Sequence, residues 1–129
     1  MRIGILVIGD ELLLGKRQDK HLPKMIEILG ARGLHPDWAR IVGDDPPLLE
    51  TTLRDTLTAG DLVLSFGGIG ATPDDVTRPC AAAAAGVALA RHPEAAALIE
   101  ARFGADAYPN RILMADLPQG ARLIPNPVN

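Results

Sequence analysis

Three short apolar runs, each closing on glycine, alternate with segments of helical period, and this order constrains the chain more than any other feature. "RIGILVIG" (residues 2–9) is apolar without interruption, the pattern of a strand covered on both faces. "LHPDWARIVG" (34–43) alternates loosely, and Pro36 suits an edge position. "DLVLSFGG" (61–68) has the clearest pattern of a central strand. Between the first two lies "DELLLGKRQ", a polar loop, and then "DKHLPKMIEILGARG", where Asp19 caps a helix, Pro23 sits in its opening turn and Gly33 stops it. Leu22, Met25, Ile26 and Leu29 recur on one face of that helix. Between the second and third, "DDPPLLETTLRDTLTAG" offers Asp45 as cap, prolines at the first helical positions, an apolar face of Leu49, Leu53 and Leu57, and Gly60 as stop.

After the third run, "TPDDVTRPCAAAAAG" reads as a helix that Pro79 should kink or shorten. A short "VALARH" segment, a helix from about Pro93 to Phe103, one helical turn and a late strand around Ala121–Ile124 complete the expectation. The order β-α-β-α-β-α with short connections predicts an α/β fold: a three-layer α/β/α arrangement with a mainly parallel sheet. A chain of 129 residues without repeats or low-complexity linkers reads as one domain spanning 1–129.

Composition narrows the function classes. The net charge is -3 and aromatics make up 3% of the chain, so neither a basic stripe nor interleaved stacking residues point to nucleic acid. No apolar run approaches the ~20 residues that span a bilayer. Acids follow the N-terminal apolar run where a signal peptide would have small residues, so a cytoplasmic protein without membrane partners is expected. The single cysteine, Cys80, opens the run "CAAAAAG" and reads as a small buried hydrophobe.

In a parallel sheet the carboxyl ends of all strands open on one edge, where ligands bind. Here the first strand is followed by Asp10-Glu11, the second by Asp44-Asp45, and the third by "GGIG" and then Asp74-Asp75. Like charges converging in this way destabilise the fold unless something positive joins them. Gly67, Gly68 and Gly70 let backbone approach a ligand closely, and their N–H groups with the following helix form an anion nest. No Lys-Ser/Thr pair follows, so this is not a Walker A loop, and Pro73 occupies the third glycine's place in a dinucleotide fingerprint. Phosphate on the glycines with Mg²⁺ or another divalent cation on the aspartates reconciles the two features. Capping alone accounts for any single pair, since Thr72, Pro73 and Asp75 also make a helix start with a capping box. Three pairs on one edge favour a site, and the two roles are compatible.

The remaining candidates are weaker. His21, His35 and His92 read as surface or cap-proximal residues, while Lys16, Arg17 and Arg78 suit either a phosphate or solvent. Ser65 lacks a G-x-S-x-G elbow, and Trp38 reads as a partly buried strand residue.

"GDELLLG" (9–15), "VGDD" (42–45), "GGIGATPDDVT" (67–77) and "NPV" (126–128) resemble the molybdopterin-binding domain family, and most of all its CinA-type members. The resemblance covers nearly the whole chain. It implies a three-layer α/β fold whose glycine turn holds a phosphate of molybdopterin or a nucleotide. It assigns Asp44 and Asp75 to metal binding and catalysis, with Asp74 beside them. Gly9, Asp10, Glu11, Gly67, Gly68, Gly70, Thr72 and Thr77 then fall among the ligand-binding residues. The chemistry implied is metal-dependent hydrolysis of a nucleotide pyrophosphate such as ADP-ribose, with molybdopterin adenylyltransfer or a non-catalytic binding module as alternatives. A homodimer or trimer is the implied assembly. Three departures stand out: Asp19-Lys20-His21 where CinA-type domains often read D-T-N, Ala71 in place of a proline, and an end at "NPVN" where family members continue through a further strand and helix.

Overall fold

β1 (Ile3–Ile8) is the strand around which everything else is placed: Ile5 to Ile8 are 0–2% exposed. It pairs in parallel with β2 (Trp38–Val42) on one side and β3 (Leu62–Phe66) on the other, giving the order β2-β1-β3. The registers Ile8↔Val42 and Val7↔Phe66 bring Gly9, Gly43 and Gly67 to the same edge of the sheet. These relations come from a computed structural model that describes residues 1–126.

Alternate residues of β1 supply two cores. Leu6 and Ile8 pack with Val42, Leu49, Leu53 and Cys80 beneath α3 (Pro46–Ala59) and α4 (Thr77–Ala85). Ile5 and Val7 pack with Leu29, Leu22 and Met25 of α2 (His21–Gly30) on the opposite face. The parallel sheet flanked by helices confirms the expected α/β class. Beyond α4, β4 (Leu89–Arg91) and β5 (Asp116–Pro118) form a separate antiparallel pair, joined by α5 (Pro93–Phe103) and 3₁₀ turns at Gly104–Ala107 and Arg111–Ala115.

Several local expectations are corrected. The third apolar run is an edge strand, because β1 takes the centre and nothing pairs with the far side of β3 among the described residues; Leu62 is 45% exposed. "DELLLGKRQ" begins with a helical turn, α1 (Asp10–Leu13), rather than a loop. Ile26 and Leu57 point away from the core, whereas Thr52 and Thr56 are buried and donate their hydroxyls to the carbonyls of Leu48 and Leu53. No strand forms at Ala121–Ile124; Asp116–Pro118 pairs instead, held by the Arg91–Asp116 ion pair at 2.6 Å. Helix α4 starts at Thr77, so Pro79 lies in its opening turn, where a missing N–H removes no internal bond, and no kink is required.

The edge opposite the strand-end glycines is tied down by Trp38. Its Nε1 donates to Asp61 (2.8 Å), and its ring lies where a Cβ on Gly4 would be. Trp38 is therefore a structural strand residue, remote from the glycine edge.

Candidate functional site

Three of the six acids that follow the strand ends have a glycine beneath them. A Cβ on Gly43 would fall 2.5 Å from Asp10 Oδ1, one on Gly9 would fall 2.5 Å from Glu11 Oε1, and one on Gly70 would fall 2.6 Å from Asp75 Oδ2. The glycines and acids of these motifs are thus one device: bare backbone gives a carboxylate room to fold over the end of its own or a neighbouring strand. Gly67 has a different task. Its φ is 100°, and a side chain there would run into the carbonyl of Ile8, so β1 and the turn after β3 touch backbone to backbone.

Asp10 and Asp44 are locked reciprocally. The Asp44 N–H donates to Asp10 Oδ1 (2.8 Å) and the Asp10 N–H donates to Asp44 Oδ2 (3.1 Å). Each carboxylate thereby satisfies a strand-end donor of the other segment, which offsets their mutual repulsion and uses one oxygen of each. Asp45 marks the start of α3 by position, but its side chain makes no capping bond.

Asp75 closes the turn after the glycines. Its Oδ2 accepts from both the N–H and the hydroxyl of Thr72, at 2.9 and 2.8 Å. This is half of the expected capping box, closing a turn rather than opening a helix. Burial works against the Asp75 charge, but Thr72, the Gly70 N–H and the Arg78 guanidinium outweigh it and hold the carboxyl below its ordinary pKa. The buried Thr77 hydroxyl donates to the Gly67 carbonyl (2.9 Å), and the Thr77 N–H to the Gly68 carbonyl (3.1 Å), pinning the turn to α4.

Asp10, Glu11, Asp44, Asp74 and Asp75 line one open cleft of about 420 Å³, with Gly9, Gly68 and Lys16 also in its wall. The structure thus gathers five of the six strand-end carboxylates with Gly9 and Gly68, while Asp45 and Gly70 do not line this cleft, Gly67 lies on the other side of the turn, and Thr72 and Thr77 hold it from behind. No three of His, Cys, Asp and Glu are grouped as a metal-holding set among the described residues.

Gly43 escaped the sequence reading, and Arg78, read there as a residue for phosphate or solvent, serves neither. Gly43 stood inside "VGDD", where only the acids drew notice. Arg78 donates to the carbonyls of Gly70 (2.6 Å), Asp116 (3.2 Å) and Leu113, bridging the glycine turn to the β4–β5 unit. Burial lowers its pKa, countered by Asp116 and Asp75. Cys80 is buried as expected; burial and Glu50 raise its pKa, which suits an inert core thiol.

The family model described as "probable molybdopterin binding domain" matches residues 4–125. The chain belongs to that family. CinA-like proteins share its whole length: that of Anaeromyxobacter dehalogenans strain 2CP-C is 39% identical over 98% of this chain, and that of Gloeobacter violaceus 36% over 96%. The chain spans about a third of the length of these relatives, 32% and 30% respectively. CinA from Thermoplasma acidophilum, a protein of unknown function, superposes with a TM-score of 0.88 at 30% identity, over 99% of this chain and 77% of that one. The molybdopterin biosynthesis enzyme MoaB from Thermus thermophilus gives 0.57 at 27% identity, over 78% of this chain and 62% of the other. The "GDELLLG", "VGDD" and "GGIGATPDDVT" segments of this molybdopterin-binding-type domain all contribute to the cleft. The "NPV" motif follows the stretch that the family model matches and lies mostly outside the described residues. No helix among the described residues is long and apolar enough to cross a membrane.

Proposed function

We infer that the chain binds a phosphorylated small molecule, a pterin or a nucleotide, over the Gly67–Gly68 turn, and hydrolyses a nucleotide pyrophosphate such as ADP-ribose with a divalent cation. The observation that carries this reading is the convergence of five carboxylates from three strand ends on one cleft beside bare backbone. Such a cleft repels a free phosphate and suits one that arrives with a cation.

The donor set fits Mg²⁺. It is all hard oxygen, and Mg²⁺ is commonly held by one or two carboxylates while phosphate oxygens and water complete its shell. A preassembled three-residue set is therefore not required. Asp44 and Asp75, with Asp74 beside them, would hold the ion, which when bound would neutralise phosphate charge and lower the pKa of a bound water.

The chain's own residues do the rest. The Asp10–Asp44 exchange fixes the orientation of both carboxylates before ligand arrives. Asp75 is a carboxylate at neutral pH; against the cost of burial, Thr72, the Gly70 N–H and Arg78 favour its charged form further. Gly68 lets a phosphate approach the backbone, and Lys16 supplies positive charge at the rim. In-line attack of water on one phosphorus of the anhydride breaks the bridging P–O bond, and the departing phosphate carries the bridging oxygen away. Attack by a pterin phosphate on the α-phosphorus of ATP would instead make the domain an adenylyltransferase. Asp10, Asp44 and Asp75 each commit a carboxylate oxygen to a protein N–H group, which favours a second reading, a non-catalytic binding module.

Incubating the protein with ADP-ribose or ATP, with and without Mg²⁺ or Co²⁺, tests the proposal. Metal-dependent turnover that disappears in Asp75→Asn supports hydrolysis. Absence of turnover, with thermal stabilisation by nucleotide and metal, supports the binding module.

A further inference from the structure

A second cleft, of about 500 Å³, lies across the Gly67–Gly68 turn from the carboxylates and shares Ile8 and Glu11 with the first. Gly67 faces the second cleft and Gly68 the first, so the turn is a ridge between two continuous compartments. Their chemistry differs. The first holds five carboxylates and one lysine. The second is lined by Arg17, Lys20, His21 and Phe66, with Glu11 and Asp19 as its acids.

Asp19 is already committed. Its oxygens accept from the N–H groups of His21 and Leu22, each at 2.9 Å, and one of them lies 3.1 Å from His21 Nδ1. That contact fixes the imidazole, which stacks on Phe66 with ring centroids 4.8 Å apart and planes 22° from parallel. Phe66 in turn packs against the buried core of Ile5, Val7 and Leu29. The side chain of His21 nevertheless remains 57% exposed. A ring with one face on an aromatic and the rest open, oriented by a carboxylate and flanked by cations, is a stacking platform.

We propose that this second cleft seats a planar nitrogen heterocycle carried on the same phosphorylated ligand, with the ring on His21, its phosphate facing Arg17 and Lys20, and the phosphate chain crossing the glycine ridge. The inference rests on the phosphate reading above and adds where the ring of that ligand sits and which side chain selects for it. His21 is then a specificity determinant. Adenine and pterin both meet the description, since stacking reads a flat face rather than an identity.

Calorimetric titration in Mg²⁺ tests it, with ADP-ribose, neopterin monophosphate, ribose 5-phosphate and inorganic pyrophosphate as probes. The wild-type protein should bind at least one ring-bearing probe more tightly than either ringless one. Preference for ADP-ribose or for neopterin monophosphate then tells the two sources apart. His21→Ala should weaken the preferred ring-bearing probe roughly 5- to 100-fold and leave pyrophosphate unchanged, and His21→Phe should restore most of the loss. Equal weakening of ring-bearing and ringless probes by His21→Ala, or no weakening, would overturn the proposal. So would equal wild-type affinity for ringed and ringless probes. If the wild-type protein binds none of the four, the phosphate reading fails and this proposal with it; pyrophosphate binding without ring preference sinks this proposal alone.

Discussion

Gly43 and Gly67 are both strand-end glycines, yet the consequence of adding one methyl group should differ sharply between them. At Gly67 the obstacle is the Ile8 carbonyl, fixed by the sheet, and φ lies at 100°. Gly67→Ala is expected to destabilise by roughly 2–5 kcal/mol, from backbone strain and overpacking together. At Gly43 the obstacle is the tip of the Asp10 side chain, which can swing away. Gly43→Ala should therefore change stability by no more than about 1 kcal/mol while weakening metal-dependent ligand binding, because it breaks the Asp10–Asp44 exchange. Chemical denaturation and ligand titration of the two variants separate a glycine needed by the chain from one needed by a carboxylate. The sequence made the pairing of acids and glycines visible but not its cause, since nothing in "VGDD" reveals that Gly43 makes room for Asp10, an acid 33 residues earlier.

At the scale of elements, caps and connections decide what periodicity leaves open. Asp19 was legible as the cap of α2, and its carboxylate does accept from the first two N–H groups of that helix. Burial works against its charge, but these N–H groups and His21 outweigh it, so its folded-state pKa lies below the ordinary 3.8. A depressed carboxyl pKa contributes stability that is complete above the unfolded value and is lost as pH falls through the folded one. Asp19→Ala should thus cost about 0.5–2 kcal/mol at neutral pH, and the gap to wild type should close below about pH 3.8, as followed by denaturation across pH. Arg78 was legible only as a charge. Its role depends on the Leu113 and Asp116 carbonyls, which reach it through the β4–β5 unit and leave no local signal. Arg78→Met should leave three carbonyls without their charged donor and cost about 1.5–3 kcal/mol. Hydrogen exchange should show the glycine turn and the β4–β5 unit loosening together. Pro79 and "TPDD" misled for a related reason: a good helix start placed four residues early is captured by the Thr72–Asp75 turn.

For the whole molecule, the alternation of strands and helices was sufficient to give the class, because a parallel three-stranded sheet covered on both faces is the compact solution for that order. It was not sufficient to rank the strands. An apolar run reports how many faces are covered, not how many neighbours pair, so β3 reads as central while lying at an edge. The late strand was misplaced because pairing with Leu89–Arg91, clamped by Arg91–Asp116, selects Asp116–Pro118 over the more apolar residues after it. What the register does deliver is functional: Gly9, Gly43 and Gly67 come to one edge, and the acids that follow them share one cleft.

Ligand binding in that cleft is directly measurable. Titrating ADP-ribose into the protein by calorimetry, with Mg²⁺ and then with EDTA, and repeating the Mg²⁺ titration with Asp44→Asn, tests whether phosphate and carboxylates meet through a cation. Binding should require Mg²⁺ and fall at least ~10-fold in Asp44→Asn, equivalent to about 1.4 kcal/mol. Binding of equal strength in EDTA, undiminished by the substitution, would contradict a bridging cation.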